Sequence, residues 1–189
     1  MNWQTDIQQA VGALKKGGVI LYPTDTVWGL GCDATNAQAI DRIYSIKKRA
    51  AKHSMLVLAA DMRMLQTYVP QIPDVALQLL EYADKPLSIV YPDAILLPEN
   101  LVADDASIGI RLPNDPFCSD LIHAFGKPIV STSANISGEP APAHFAQISD
   151  AVKQSVDYTV RWRQNDRQPA TASSIIKVEK DNSFRIIRL

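Results

Sequence analysis

Short apolar runs separated by helix-period segments constrain this chain more than any single motif. Val19–Tyr22, Met55–Ala59, Leu87–Tyr91 and Pro128–Thr132 are too short for buried helices and suit buried strands. Ser107–Arg111, Val156–Val160, Ser173–Val178 and Phe184–Leu189 add further strand candidates. Residues 6–16 place Ile7, Ala10, Val11 and Leu14 on one helical face and stop at Gly17-Gly18. A second helix opens at Thr35 or Asn36 and runs through Ile40, Ile43 and Tyr44 into Lys47-Lys48-Arg49. Asp61–Tyr68, Pro73–Tyr82, Asp115–Phe125 and residues 144–155 complete the helical set. Strands and helices interleave throughout, so the expected class is α/β (α+β) with one mixed sheet. With no internal repeat or linker, residues 1–189 read as one domain.

The formal net charge of −1 gives no global basic field for nucleic acid, so any phosphate site must be local. No apolar run approaches the ~20 residues that span a bilayer, and the start, Met1-Asn2-Trp3-Gln4, is not a signal peptide. The expectation is a cytoplasmic protein with no membrane association, in which Cys32 and Cys118 are reduced core thiols. His53, His123 and His144 lack the spacing of a zinc site; no metal ligand is expected from the chain.

The common nucleotide loops are missing. Gly12–Gly17 has P-loop glycine spacing, but Gly18 and Val19 stand where Lys and Ser/Thr belong. Gly29-Leu30-Gly31 is followed by Cys32-Asp33-Ala34, which breaks the dinucleotide pattern.

Three stretches carry candidate chemistry. In "LYPTDTVWGLGC", Thr24 and Thr26 would share a face of an extended chain with Asp25 opposite, either as a strand exit or as the rim of a site. In "STSANISG", Ser131, Ser133 and Asn135 would project together after a buried strand, where α/β sheets bind ligands. In "IKKRAAKHS", Lys47 and Arg49 diverge on a helix and converge only if it ends near Lys48. Otherwise that basic run is a solvated helix end complementing the dipole. Arg111 in "SIGIRLP" is either an edge residue reaching water or an anion-binding guanidinium, and Arg188 in "IIRL" repeats the pattern of arginine in a buried strand. His53 follows the basic cluster, and Ser173-Ser174 heads a strand.

"GGVILYPTDTVWGLGCDA", "IYSIKKR", "SIGIRLP" and "PIVSTSANISGEPAP" resemble, in order, the hallmark segments of the YrdC/TsaC family of threonylcarbamoyl-AMP synthases. The K-x-R segment (Lys47, Arg49) paired with the S-x-N segment (Ser133, Asn135) is the most specific part of the likeness. The sequence departs from the usual family pattern at Ala50, at Asp84-Lys85-Pro86-Leu87-Ser88 and at Lys177.

The resemblance implies a twisted mixed sheet with helices around a large concave basic cavity. It also implies synthesis of threonylcarbamoyl-AMP and pyrophosphate from L-threonine, bicarbonate and ATP, with Mg²⁺ carried on the ATP phosphates. The product would pass to threonylcarbamoyl-transfer proteins that modify tRNA beside the anticodon, with tRNA itself a further partner. By the same resemblance Lys47, Arg49, Ser133 and Asn135 are the catalytic and ATP-binding set, joined by Arg188 on the ATP side. Thr24, Thr26, Arg111, Ser131 and Ser173 would hold threonine. A double-stranded RNA-binding module, or a YciO-like paralogue with another substrate, are the alternative readings.

Overall fold

The computed structural model describes residues 3–49, 55–167 and 171–189. The chain runs α1 (Gln4–Lys15), β1 (Ile20–Tyr22), β2 (Gly29–Gly31), α2 (Ala37–Ile46), β3 (Leu56–Leu58), α3 (Met62–Tyr68) and α4 (Asp74–Glu81). It continues with β4 (Leu87–Tyr91), β5 (Ile108–Arg111), α5 (Pro116–Phe125) and β6 (Ile129–Ser133). Then come α6 (Asp150–Gln154), β7 (Tyr158–Thr159), β8 (Ser174–Val178) and β9 (Phe184–Arg188). The strands order as β7-β1-β2-β6-β3-β5-β4-β8-β9, with parallel pairs β1–β7, β3–β5 and β4–β8 and antiparallel pairs elsewhere. This is the mixed α/β sheet expected.

Both faces of the sheet are covered. Ile20 and Tyr22 of β1 join Ile7, Leu14, Phe117 and Leu121 of α1 and α5 on one side. Val19 and Leu21 face the other way, onto the layer containing Ile40, Ile43 and Leu65. Residues of β1 must therefore be apolar at every position, not at alternate ones.

Sequence and structure agree on how most helices end. Asn36 caps α2 by accepting from the Ala39 amide, and Asp115 caps α5 ahead of Pro116. The supposed P-loop glycines lie on α1 and its terminator: Gly17 is left-handed (φ 76°), with Gly17 N–H bonded to Leu14 O and Gly18 N–H to Ala13 O.

Residues 144–155 do not form one helix. Ile148 is extended and buried, and Ser149 starts a new segment, α6, by accepting from the Val152 amide after a 3₁₀ turn at Phe145–Gln147. The strand expected at Val156–Val160 shrinks to β7. Strand β9 is exposed along its whole length at the sheet edge, so Arg188 does not sit in a buried strand.

Sequence reading missed β2 because its glycines lower strand propensity. Gly31 is required by packing: a Cβ there would stand 2.6 Å from Tyr22 Cε1 and 2.9 Å from Val130 O. Tyr22 is fully buried and has nowhere to move. Gly31→Ala is expected to destabilise the fold by about 1–3 kcal/mol, seen as a lower urea midpoint at unchanged slope.

Candidate active site

Strand β6 runs on past one of its two neighbours. One edge pairs with β3 over Ile129–Ser131, and the other pairs with Gly29 and Leu30 of β2 and on to Cys32 and Asp33. The described pairing with β3 ends at Ser131, and space opens there against the end of β6. Two adjoining cavities of about 310 and 440 Å³ lie there, sharing Arg49, Thr132 and Ser133 in their walls.

The smaller cavity is lined by Thr26, Arg49, Arg111, Ser131, Ser133, Ser173 and Arg188, among others. Its inner wall begins at Thr24-Asp25-Thr26, where the chain bends instead of staying extended. The Thr26 amide donates to Thr24 Oγ1 (3.1 Å), a local turn that brings the two hydroxyls within 2.9 Å. Thr24 spends its one hydroxyl proton on Val27 O (2.7 Å), so Thr26 is the donor between the two hydroxyls. Arg111 Nη1 donates to Thr26 Oγ1 at 2.9 Å. With its proton committed, Thr26 has lone-pair capacity, not a donor, left for a ligand.

Arg111 is not an edge residue, and part of its guanidinium is already engaged within the protein. It lies on β5 between β3 and β4, 3% exposed, with Nη2 3.2 Å from Asp25 Oδ1. Burial pushes the Asp25 carboxyl above its ordinary value, opposed by Arg111 and then by the Asn114 amide. Arg111 Nε–H has no hydrogen-bond partner among the described residues. Sequence reading missed that Asp25 pairs with this arginine, because the bend turns it toward β5. It also missed Ser88, a small polar residue in an apolar strand, whose Oγ meets Ser173 Oγ at 2.8 Å. Arg188 Nη2 donates to Ser173 O (2.7 Å) and so fixes the same loop from outside.

The larger cavity is lined by Lys47, Lys48, Arg49, Ser133, Asn135, Ser137 and Gly138, with Thr132. The helix does end where convergence of Lys47 and Arg49 requires it. Lys48 is left-handed (φ 49°), Lys48 N–H bonds to Ser45 O and Arg49 N–H to Tyr44 O, closing α2 with an αL residue that is not glycine. Of the strand-alternation expectation at "STSANISG", Ser131 and Ser133 hold, since both line the smaller cavity. Asn135 lies past the end of β6 and folds its amide into the following loop.

Every residue that the resemblance assigns to the site therefore lines one of these cavities except Thr24, which stands behind Thr26; Asp25 and Ser174 line neither, and His53 lies outside the described residues. Neither lining includes Asp, Glu or His. A larger cavity, about 910 Å³, lies elsewhere, between α4 and the β8–β9 edge, and its walls are mainly apolar. Cys32 and Cys118 are free and buried. No described helix is long and apolar enough to cross a membrane.

Comparison with known proteins places this geometry. The Sua5/YciO/YrdC family model, described as telomere recombination, matches residues 12–189. A threonylcarbamoyl-AMP synthase of Pseudoalteromonas translucida is 35% identical over 163 residues, 85% of this chain and 87% of that protein. Sua5 of P. abyssi complexed with L-threonine superposes with a TM-score of 0.81 at 26% identity, over 92% of this chain. The chain spans about half that longer protein, 51% of its length. E. coli YciO superposes at a TM-score of 0.82 and 28% identity, covering 98% of this chain and 89% of its own. With a family model matched over nearly its whole length, the chain belongs to the Sua5/YciO/YrdC family.

Proposed function

We propose that this chain is a threonylcarbamoyl-AMP synthase, taking L-threonine, bicarbonate and ATP and releasing pyrophosphate. The observation that carries the reading is the pair of adjoining cavities, with a hydroxyl-rich end at Thr26, Ser131 and Ser173 and a basic end at Lys47 and Arg49. Together they form one concave basic site on a chain of nearly neutral charge.

The chemistry asks for position more than for a protein nucleophile. Threonine's amine attacks the carbon of CO₂ with loss of a proton, or that of bicarbonate with loss of water, to give a carbamate. A carbamate oxygen then attacks the α-phosphorus of ATP, and pyrophosphate leaves. Thr26, with lone-pair capacity left, accepts from the substrate amine and orients it. Arg111 faces the threonine carboxylate with N–H groups that Thr26 and Asp25 do not use, and Ser131 and Ser173 hold the rest of the amino acid. Arg49 with Lys47 offsets phosphate charge, Ser133 and Asn135 bound the nucleotide, and Arg188 holds the Ser173 carbonyl at the wall of the smaller cavity. A divalent cation such as Mg²⁺ would be held by the phosphates, since the walls offer no carboxylate, and would supply charge neutralisation there. The product would go to cytoplasmic transfer proteins that modify tRNA.

The test is pyrophosphate release from purified protein given ATP, bicarbonate and one amino acid at a time. Release that depends on threonine is expected; none with threonine would overturn the reading. The extent of the likeness to E. coli YciO favours a second reading, a paralogue acting on another amine, and the same panel distinguishes it.

The site also carries a pH signature. Burial lowers the Lys47 ammonium from 10.5 to about 8, and the charge of Arg49 adds to the push. The folded chain sheds this proton before the unfolded one, so the cost of burying the charge is relieved as pH rises from about 8 to 10.5. Stability of the wild type relative to Lys47→Met is therefore expected to rise between about pH 8 and 10.5, which urea unfolding across that range measures.

A further inference from the structure

The two signature segments, K-x-R and S-x-N, do not contribute four equivalent groups. Lys47 is 3% exposed, and its ammonium donates to Ser133 O at 2.6 Å, Asn135 O at 2.8 Å and Asn135 Oδ1 at 3.4 Å. An ammonium has three N–H groups, and all three are used. Asn135 is as fully committed: Oδ1 receives Lys47, and Nδ2 donates to Glu139 O (2.6 Å) and Ile136 O (3.1 Å). The backbone adds a further tie, from Ser137 N–H to Lys47 O at 2.9 Å. Lys47 and Asn135 thus join the end of α2 to the 133–139 loop, the two walls of the larger cavity. Arg49 is different: its guanidinium has no hydrogen-bond or ion-pair partner among the described residues, and it lines both cavities. The Ser133 hydroxyl likewise has no hydrogen-bond partner among the described residues, while its carbonyl receives Lys47.

We propose that the signature divides by role: Arg49 and Ser133 touch the nucleotide phosphates, whereas Lys47 and Asn135 are positioning residues that latch the cavity walls together. The inference rests on the nucleotide reading above and refines it. A lysine suits the latch because its charge is a compact point with three donors, which a planar guanidinium cannot reproduce against three carbonyl-type oxygens. Latch and contact make different predictions for ligands that differ only in phosphate number. Losing the latch loosens the whole pocket; losing a contact penalises the extra phosphates.

Calorimetric titration with ATP and with AMP tests this. Lys47→Met is expected to weaken both nucleotides by the same factor, within about threefold, and Arg49→Met to weaken ATP at least tenfold more than AMP. Adding Asn135→Ala to Lys47→Met should cost less than a further twofold, because one latch is already open. Lys47→Arg should fail to restore affinity; a direct phosphate contact would keep most of it. An ATP-selective loss in Lys47→Met, multiplying losses in the double variant, or rescue by Lys47→Arg would each overturn the proposal. Wild-type protein that binds no nucleotide would sink the functional reading instead. The latch is then judged without ligand: the urea-midpoint shifts of Lys47→Met and Asn135→Ala must be less than additive, and additive shifts refute it. If Lys47→Met does not fold, Lys47→Gln, which keeps two donors, takes its place in every arm.

Discussion

Replacing Asp25 by alanine is expected to cost about 3–5 kcal/mol of stability, the penalty for stranding a buried charge. The partner left behind is Arg111, 3% exposed and held 3.2 Å from Asp25 Oδ1. No other acidic residue makes an ion pair with it among the described residues. Arg111 Nε–H already lacks an acceptor among the described residues. Urea unfolding measures the effect, and a loss below about 1 kcal/mol would show that Arg111 finds water or another partner. Removing both charges, as Asp25→Ala with Arg111→Met, should recover much of the stability, because a neutral pair no longer carries the desolvation penalty. The double variant should still be inactive, since Arg111 also sets the Thr26 hydroxyl through its 2.9 Å donation.

The second large effect concerns chemistry. Arg49→Met is expected to lower threonine-dependent pyrophosphate release by about 10²–10³-fold, the usual result of removing one pre-positioned donor from a charged transition state. Arg49→Lys keeps the charge but loses the planar fork, and should recover only part of the rate. Steady-state kinetics with ATP varied at saturating threonine provides the measurement. The loss should show in kcat/KM for ATP, with the KM for threonine little changed. Full activity in Arg49→Met would remove Arg49 from the phosphate site.

The sequence announced the buried strands, the helix caps and the members of the site, but not their connections. Val19–Tyr22 was readable because an unbroken apolar run has few other places to go, and α5 because Asp115, Pro116 and Gly126 mark its ends. Strand β2 was hidden, since Gly31 answers a steric demand from Tyr22, Ile129 and Val130, residues that only the fold brings near. The split at Ser149 was hidden in the opposite way: a helical period ran through it, and a cap residue overrode the period. In the site, residue types pointed to the right places, yet alternation gave the wrong reason for Thr24 and Thr26 to meet. A turn closed by a side-chain hydroxyl brings them together, and the same turn delivers Asp25 to Arg111. Commitments of individual protons, such as those of Lys47, depend on distances no one-dimensional pattern contains.

The run of β6 past the end of its β3 pairing has a metric consequence. Ser131 and Ser133 sit two residues apart on one strand, hence ~6.8 Å apart along it, given ~3.4 Å of rise per antiparallel residue. The first lines the smaller cavity alone and the second lines both. Under the proposed function the strand would act as a ruler between the two substrates, graduated in units the backbone cannot stretch. Loops around the site can lengthen or shorten without touching that interval. One residue inserted between Ser131 and Ser133 would turn one of them to the opposite face of the sheet and leave the carbamate without a phosphorus in range.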